Sequence, residues 1–96
     1  MKYELPIYGA NDEVINRHAT NICPFEVYIR AAELRENIAN MKMAEQLNAV
    51  GELLKSMFPE LTDKELARAD AGDVFSTFMQ IVNGGQKIKA GNGKNA

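Results

Sequence analysis

At 96 residues, with 11 Lys and Arg against 13 Asp and Glu for a formal charge of −2, the chain is sized for one domain with a small core of its own. Its basic residues are scattered from Lys2 to Lys94, which argues against the basic face of a nucleic-acid binder and towards protein partners. The single cysteine excludes an internal disulfide, and no apolar run reaches the roughly eighteen residues of a membrane span or the form of a signal peptide, so the expectation is a cytoplasmic protein.

Tyr3, Leu5 and Ile7 alternate with Glu4 and Pro6, the period-2 pattern of a strand with one buried face. Pro6 cannot donate to a ladder and belongs at an edge. Gly9-Ala-Asn-Asp-Glu13 supplies turn chemistry, and Val14 to Ala19 reads as a second strand, with Val14, Asn16 and His18 on one side and Ile15, Arg17 and Ala19 on the other. Residues 1–20 therefore form a β-hairpin, which needs the helices or another subunit to pack on.

Pro24 suits the first position of a helix, where its missing N–H costs nothing. Val27, Ala31, Leu34, Ile38 and Met41 recur at helical spacing, and Phe25, Tyr28, Ile29 and Ala32 widen that stripe into a broad buried face. A loop is expected near Asn40 to Met43. The second helix runs from about Ala44 to Phe58, with Leu47, Val50, Leu54 and Met57 on one stripe joined by Leu53 and Phe58, and Pro59 ends it. Gly51 in its middle costs about 1 kcal/mol against alanine; it reads as tolerated, with close helix approach as the alternative.

Thr62 and Glu65 form a capping box, and Leu61 and Leu66 occupy the positions of a hydrophobic staple, so these four are scaffold residues that start a short helix from Asp63 to about Ala69. Asp70 or Gly72 opens a last helix to about Asn83, in which Val74, Phe78, Ile81 and Val82 share a side with Phe75 close by, and Gly84 sits where an αL cap falls. From Gly84 the segment GGQKIKAGNGKNA is rich in glycine, asparagine and lysine, which predicts a flexible tail over 84–96. The fold class is thus α+β, mostly α: a hairpin (1–20), then a compact bundle of three main helices plus one short capped helix (24–83), as a single globular domain over 1–83.

No catalytic constellation is legible. His18 has no acid or cysteine at ligand spacing and reads as a strand-face histidine, and Cys23 reads as a small structural residue. Asp63, Asp70 and Asp73 lack the alternating ligands of a calcium loop and are better explained as helix caps. The residues between Val74 and Val82 offer no Lys or Arg to a DNA backbone. Met41, Met43, Met57 and Met79 read first as core filling, with an adaptable groove as the alternative. The residues thus imply no cofactor, no metal and no enzymatic activity.

Three stretches, in this order and spacing, carry a family resemblance: the N-terminal strand leading to Gly9–Glu13, the helix beginning at Pro24-Phe25, and Phe58-Pro-Glu-Leu-Thr-Asp-Lys-Glu-Leu-Ala-Arg-Ala-Asp70 followed by Asp73-Val-Phe. With them the chain resembles the tail assembly chaperones of phages and prophages of Gram-positive bacteria. The resemblance implies a non-enzymatic protein that binds the tape measure protein and tail tube subunits during long-tail morphogenesis in the host cytoplasm and is absent from the finished virion. It also implies a capacity to self-associate, for which the hairpin edge offers a route, and a frameshifted longer form whose junction the Gly- and Lys-rich tail would suit. Contact residues expected on such a client groove are Tyr28, Leu34, Ile38 and Met41 of the first helix and Phe75, Phe78, Met79 and Val82 of the last. The competing reading is a small helical regulatory adaptor, antitoxin-like or anti-repressor-like, that binds one folded partner.

Overall fold

The computed structural model describes residues 3–94, with side-chain surroundings given through residue 84. Two antiparallel strands, β1 (Tyr3–Tyr8) and β2 (Val14–Thr20), precede α1 (Phe25–Asn37), a 3-10 turn (Ile38–Asn40), α2 (Met43–Met57), α3 (Asp63–Arg68) and α4 (Ala71–Lys94). This is the expected α+β, mostly α, arrangement.

The hairpin pairs within one chain, with Tyr3 opposite Thr20, Leu5 opposite His18 and Ile7 opposite Asn16. A bulge follows Ile7, so that Tyr8 faces Val14 and Ile15 is the extra residue. The bulge corrects the expected alternation: Val14 changes sides, sharing the outer face with Tyr8 instead of the inner one with Asn16 and His18. Asp12 at the turn takes φ 65°, a left-handed position that aspartate tolerates. The turn is closed by the Gly9 N–H on the Glu13 carbonyl at 2.8 Å. A Cβ on Gly9 would stand 2.9 Å from Ile15 Cγ2 and from the Glu13 carboxylate.

β1 supplies the sheet's share of the core, since Tyr3, Leu5 and Ile7 are all buried while β2 buries only His18. It lies on α4, where the Thr77 hydroxyl donates to the Glu4 carbonyl at 2.7 Å and spends a buried side chain on a strand carbonyl. Against this layer pack Val27 and Ala31 of α1, Val50, Leu53, Leu54 and Met57 of α2, and Val74, Phe78, Ile81 and Val82 of α4. Truncating a fully buried leucine such as Leu54 in a core of this kind costs about 2–5 kcal/mol.

The junctions follow local chemistry. The 3-10 turn is tied to α2 by the Gln46 amide, which donates to the carbonyls of Ile38 (2.8 Å) and Met41 (3.0 Å). The Lys42 N–H donates to the Glu45 carboxylate, which satisfies one of the orphan donors at the start of α2. Phe58, held extended at ψ 90° ahead of Pro59, stops α2.

Three expectations are corrected. Phe25 and Ile29 do not widen the buried stripe of α1, where only Val27 and Ala31 are buried; Leu47 likewise leaves the α2 stripe and is exposed. Gly51 is buried, and a Cβ there would stand 2.9 Å from Leu66 Cδ2, so it lets α3 approach closely where simple tolerance was expected. Gly84 does not end α4: no glycine among the described residues has the positive φ an αL cap requires, and the helix extends to Lys94, into the segment expected to be flexible. Residues 95–96 of that segment lie outside the described residues.

Candidate functional site

The corner between α2 and α4 is built as the capping signals demand. Glu65 N–H donates to Thr62 Oγ1 at 3.1 Å, and Thr62 N–H returns to Glu65 Oε1 at 3.3 Å. Leu61 is buried and Leu66 half-buried against the core, while Thr62 is exposed and Glu65 half-buried. Glu65 does more than cap: its Oε2 accepts from Asn16 Nδ2 at 2.7 Å and its Oε1 lies 2.9 Å from His18 Nε2. An ionised carboxylate only accepts, so His18 presents an N–H there. His18, expected to lack an acid, has one from 47 residues away. The hydrogen bond from Asn16 leads in holding the Glu65 carboxyl below its ordinary value, joined by the Thr62 N–H and His18 and opposed by burial. With both oxygens engaged, the group ties the hairpin to α3.

A polar hollow at the hairpin turn is lined by Tyr8, Gly9, Asp12, Arg68, Asp70 and Asp73. Asp70 caps α4, accepting the Asp73 N–H on Oδ2 at 3.0 Å while its carbonyl takes the Val74 N–H. The Asp73 carboxylate beside it, then burial, hold the Tyr8 phenol above its usual value; Asp70 adds to this and Arg17 opposes it. Among the described residues no group of three or more His, Cys, Asp or Glu is placed to hold a metal ion. Asp63 is engaged by Lys55, which also reaches Glu52 at 2.8 Å, and these two carboxylates raise the lysine's pKa.

The eight residues expected on one client surface do not form one. Phe78 and Val82 are core, 2 % and 3 % exposed, and are withdrawn as contacts, because the face of α4 that carries them lies inside the bundle. Leu34 and Ile38 are half-buried against the core, and Met41 is half-buried beside the 3-10 turn. Phe75 lines a cleft between α2, α3 and α4 with Leu47, Gly51, Leu66 and Val74. Tyr28 lines another hollow with Tyr3, Cys23, Phe25, Ile81 and Gly84. Met79 is exposed.

The more exposed apolar surface lies on residues that periodicity assigned to the core or passed over. Ile22 is 71 %, Phe25 75 % and Ile29 42 % exposed, at the start of α1; Met43 and Leu47 are exposed on α2, and Val14 and Ile15 on β2. One signal for α1 was legible. Val27–Ala31 and Phe25–Ile29 are two separate pairs at spacing four, and at about 100° per residue they stand on nearly opposite sides of the helix. Only one pair could face a single core.

Among the described residues no helix is long and apolar enough to cross a membrane. Comparison with family models, with curated proteins and with solved structures finds no match to this chain.

Proposed function

We propose that this chain is a non-enzymatic tail assembly chaperone of a phage or prophage of a Gram-positive bacterium, which binds the tape measure protein and tail tube subunits in the host cytoplasm while the tail is built. The reading starts from the resemblance carried by Gly9–Glu13, Pro24-Phe25 and Phe58–Asp70. The observation that supports it most is the inverted amphipathicity of α1: Phe25 and Ile29 face solvent, while only Val27 and Ala31 are buried. Folding alone gives no reason to hold the larger apolar pair in water. A protein that shields a long client does, because the burial is completed only on binding.

Co-expression with the tape measure protein from the same gene neighbourhood tests this. The soluble fraction of the tape measure protein should rise with the wild-type chain and fall back with a Phe25→Ser, Ile29→Ser variant. An unchanged soluble fraction refutes the reading. Stable one-to-one capture of a single folded regulator, with no effect on the tape measure protein, would favour the adaptor instead.

A further inference from the structure

The solvent side of α1 has a second character besides its apolar residues. Phe25, Ile29, Glu33 and Glu36 follow one another at steps of four, four and three, which places them on one face; Glu26 flanks them on one side and Ala32 on the other. All three glutamates are exposed and make no ion pair or side-chain hydrogen bond among the described residues. Arg30 is turned to α2, where its Nη1 donates to Ser56 Oγ at 2.9 Å, and Arg35 lies on the far flank of the stripe. The face is therefore apolar at its N-terminal end and acidic at its C-terminal end. Beside Phe25 opens the hollow lined by Tyr3, Cys23, Tyr28 and Ile81, which suits one large apolar anchor.

We infer that this face of α1 is a docking ridge for an amphipathic client helix that carries lysine or arginine next to its apolar stripe. A second copy of the same face is a poor occupant. Antiparallel pairing over the whole stripe would set Phe25 against Glu36 and Ile29 against Glu33, burying carboxylates on apolar side chains; pairing centred on the apolar end alone would leave Glu33 and Glu36 without cations, and parallel pairing would set glutamate against glutamate. A basic amphipathic helix satisfies both ends: its apolar residues cover Phe25 and Ile29, and its cations meet Glu26, Glu33 and Glu36.

This rests on the reading that the exposed side of α1 receives a protein client, and its test uses no phage protein, so the two fail separately. Two labelled peptides of about eighteen residues, long enough to hold a helix, carry the same leucine stripe with either lysine or glutamate flanks. Binding to the full chain is followed by fluorescence anisotropy. The lysine peptide should saturate, and weaken as salt is raised from about 50 mM to about 500 mM. Glu33→Lys with Glu36→Lys should raise its Kd at least about tenfold and let the glutamate peptide bind. Phe25→Ser with Ile29→Ser should abolish saturation while the circular-dichroism melt stays in place, because both positions are exposed. Equal binding of the two peptides to the wild-type chain, or lysine-peptide binding indifferent to either variant pair, overturns the proposal. A sedimentation mass of a dimer that Phe25→Ser returns to monomer also overturns it, in favour of a self-interface.

Discussion

Gly84→Ala sets the helix propensity of α4, which runs through this position, against the packing of β1 on that helix. Read as a helix-interior change, it should stabilise α4 by about 0.5–1 kcal/mol, because alanine loses less backbone freedom than glycine. The structure reverses the sign. A Cβ at this position would stand well inside van der Waals contact of Tyr3 Oη, and Tyr3 is 7 % exposed, with its ring held at the start of β1 against α4. Overpacking of this kind costs about 1–3 kcal/mol, so the net expectation is a loss of about 0–2.5 kcal/mol after the helix gain is subtracted. The offending atom is a single oxygen. With Tyr3→Phe in place, the nearest remaining ring atoms would be Cζ at 3.4 Å and Cε1 at 3.6 Å, ordinary contact distances. Gly84→Ala in the Tyr3→Phe background should therefore regain the helix benefit, and the double-mutant cycle should show a coupling of about 1–3 kcal/mol. Urea unfolding of the four proteins, followed by circular dichroism with the slope m checked for constancy, measures every corner. A Gly84→Ala single variant more stable than wild type, or a coupling indistinguishable from zero, would refute the close approach of Tyr3 to α4.

Thr62→Ala should cost about 1 kcal/mol in the same assay and leave lysine-peptide affinity unchanged, since the corner is scaffold; a loss of affinity at constant stability would place Thr62 in the contact surface. Glu65 is held below its ordinary value of 4.5, so its stabilising contribution is present above that value and disappears as pH falls through its lower folded value. The stability gap between wild type and Glu65→Gln should accordingly narrow from pH 7 to pH 3, and a gap that widens on acidification contradicts the assignment. Burial raises the Cys23 thiol above its usual pKa of 9.0, which predicts slower alkylation by iodoacetamide near neutral pH than for free cysteine; faster alkylation would mark an activated thiol.

Most of the secondary structure was legible because its signals are local. The alternation of Tyr3, Leu5 and Ile7, the stop at Phe58-Pro59, the Thr62–Glu65 box and the Asp70 cap each act within a few residues, and each appears where expected. Local pattern failed where it had to rank one apolar residue against another. Phe25 and Ile29 fit a helical stripe as well as Val27 and Ala31 do, and only the positions of α2 and α4 decide which pair is covered. The bulge at Ile15 is the same failure in a strand: period 2 holds until one inserted residue turns Val14 to the other face.

The sequence by itself determined a small α+β, mostly α, fold, its element order, its capped corner and the resemblance from which the functional proposal starts, all properties of neighbouring residues and short spacings. Only the tertiary structure decided that His18 meets Glu65, that Gly84 must be bare beneath Tyr3, and that Phe78 and Val82 are core while Phe25 and Ile29 face water. Each of these depends on atoms brought together from distant parts of the chain, and burial is a property of the assembled packing that no single helix carries alone.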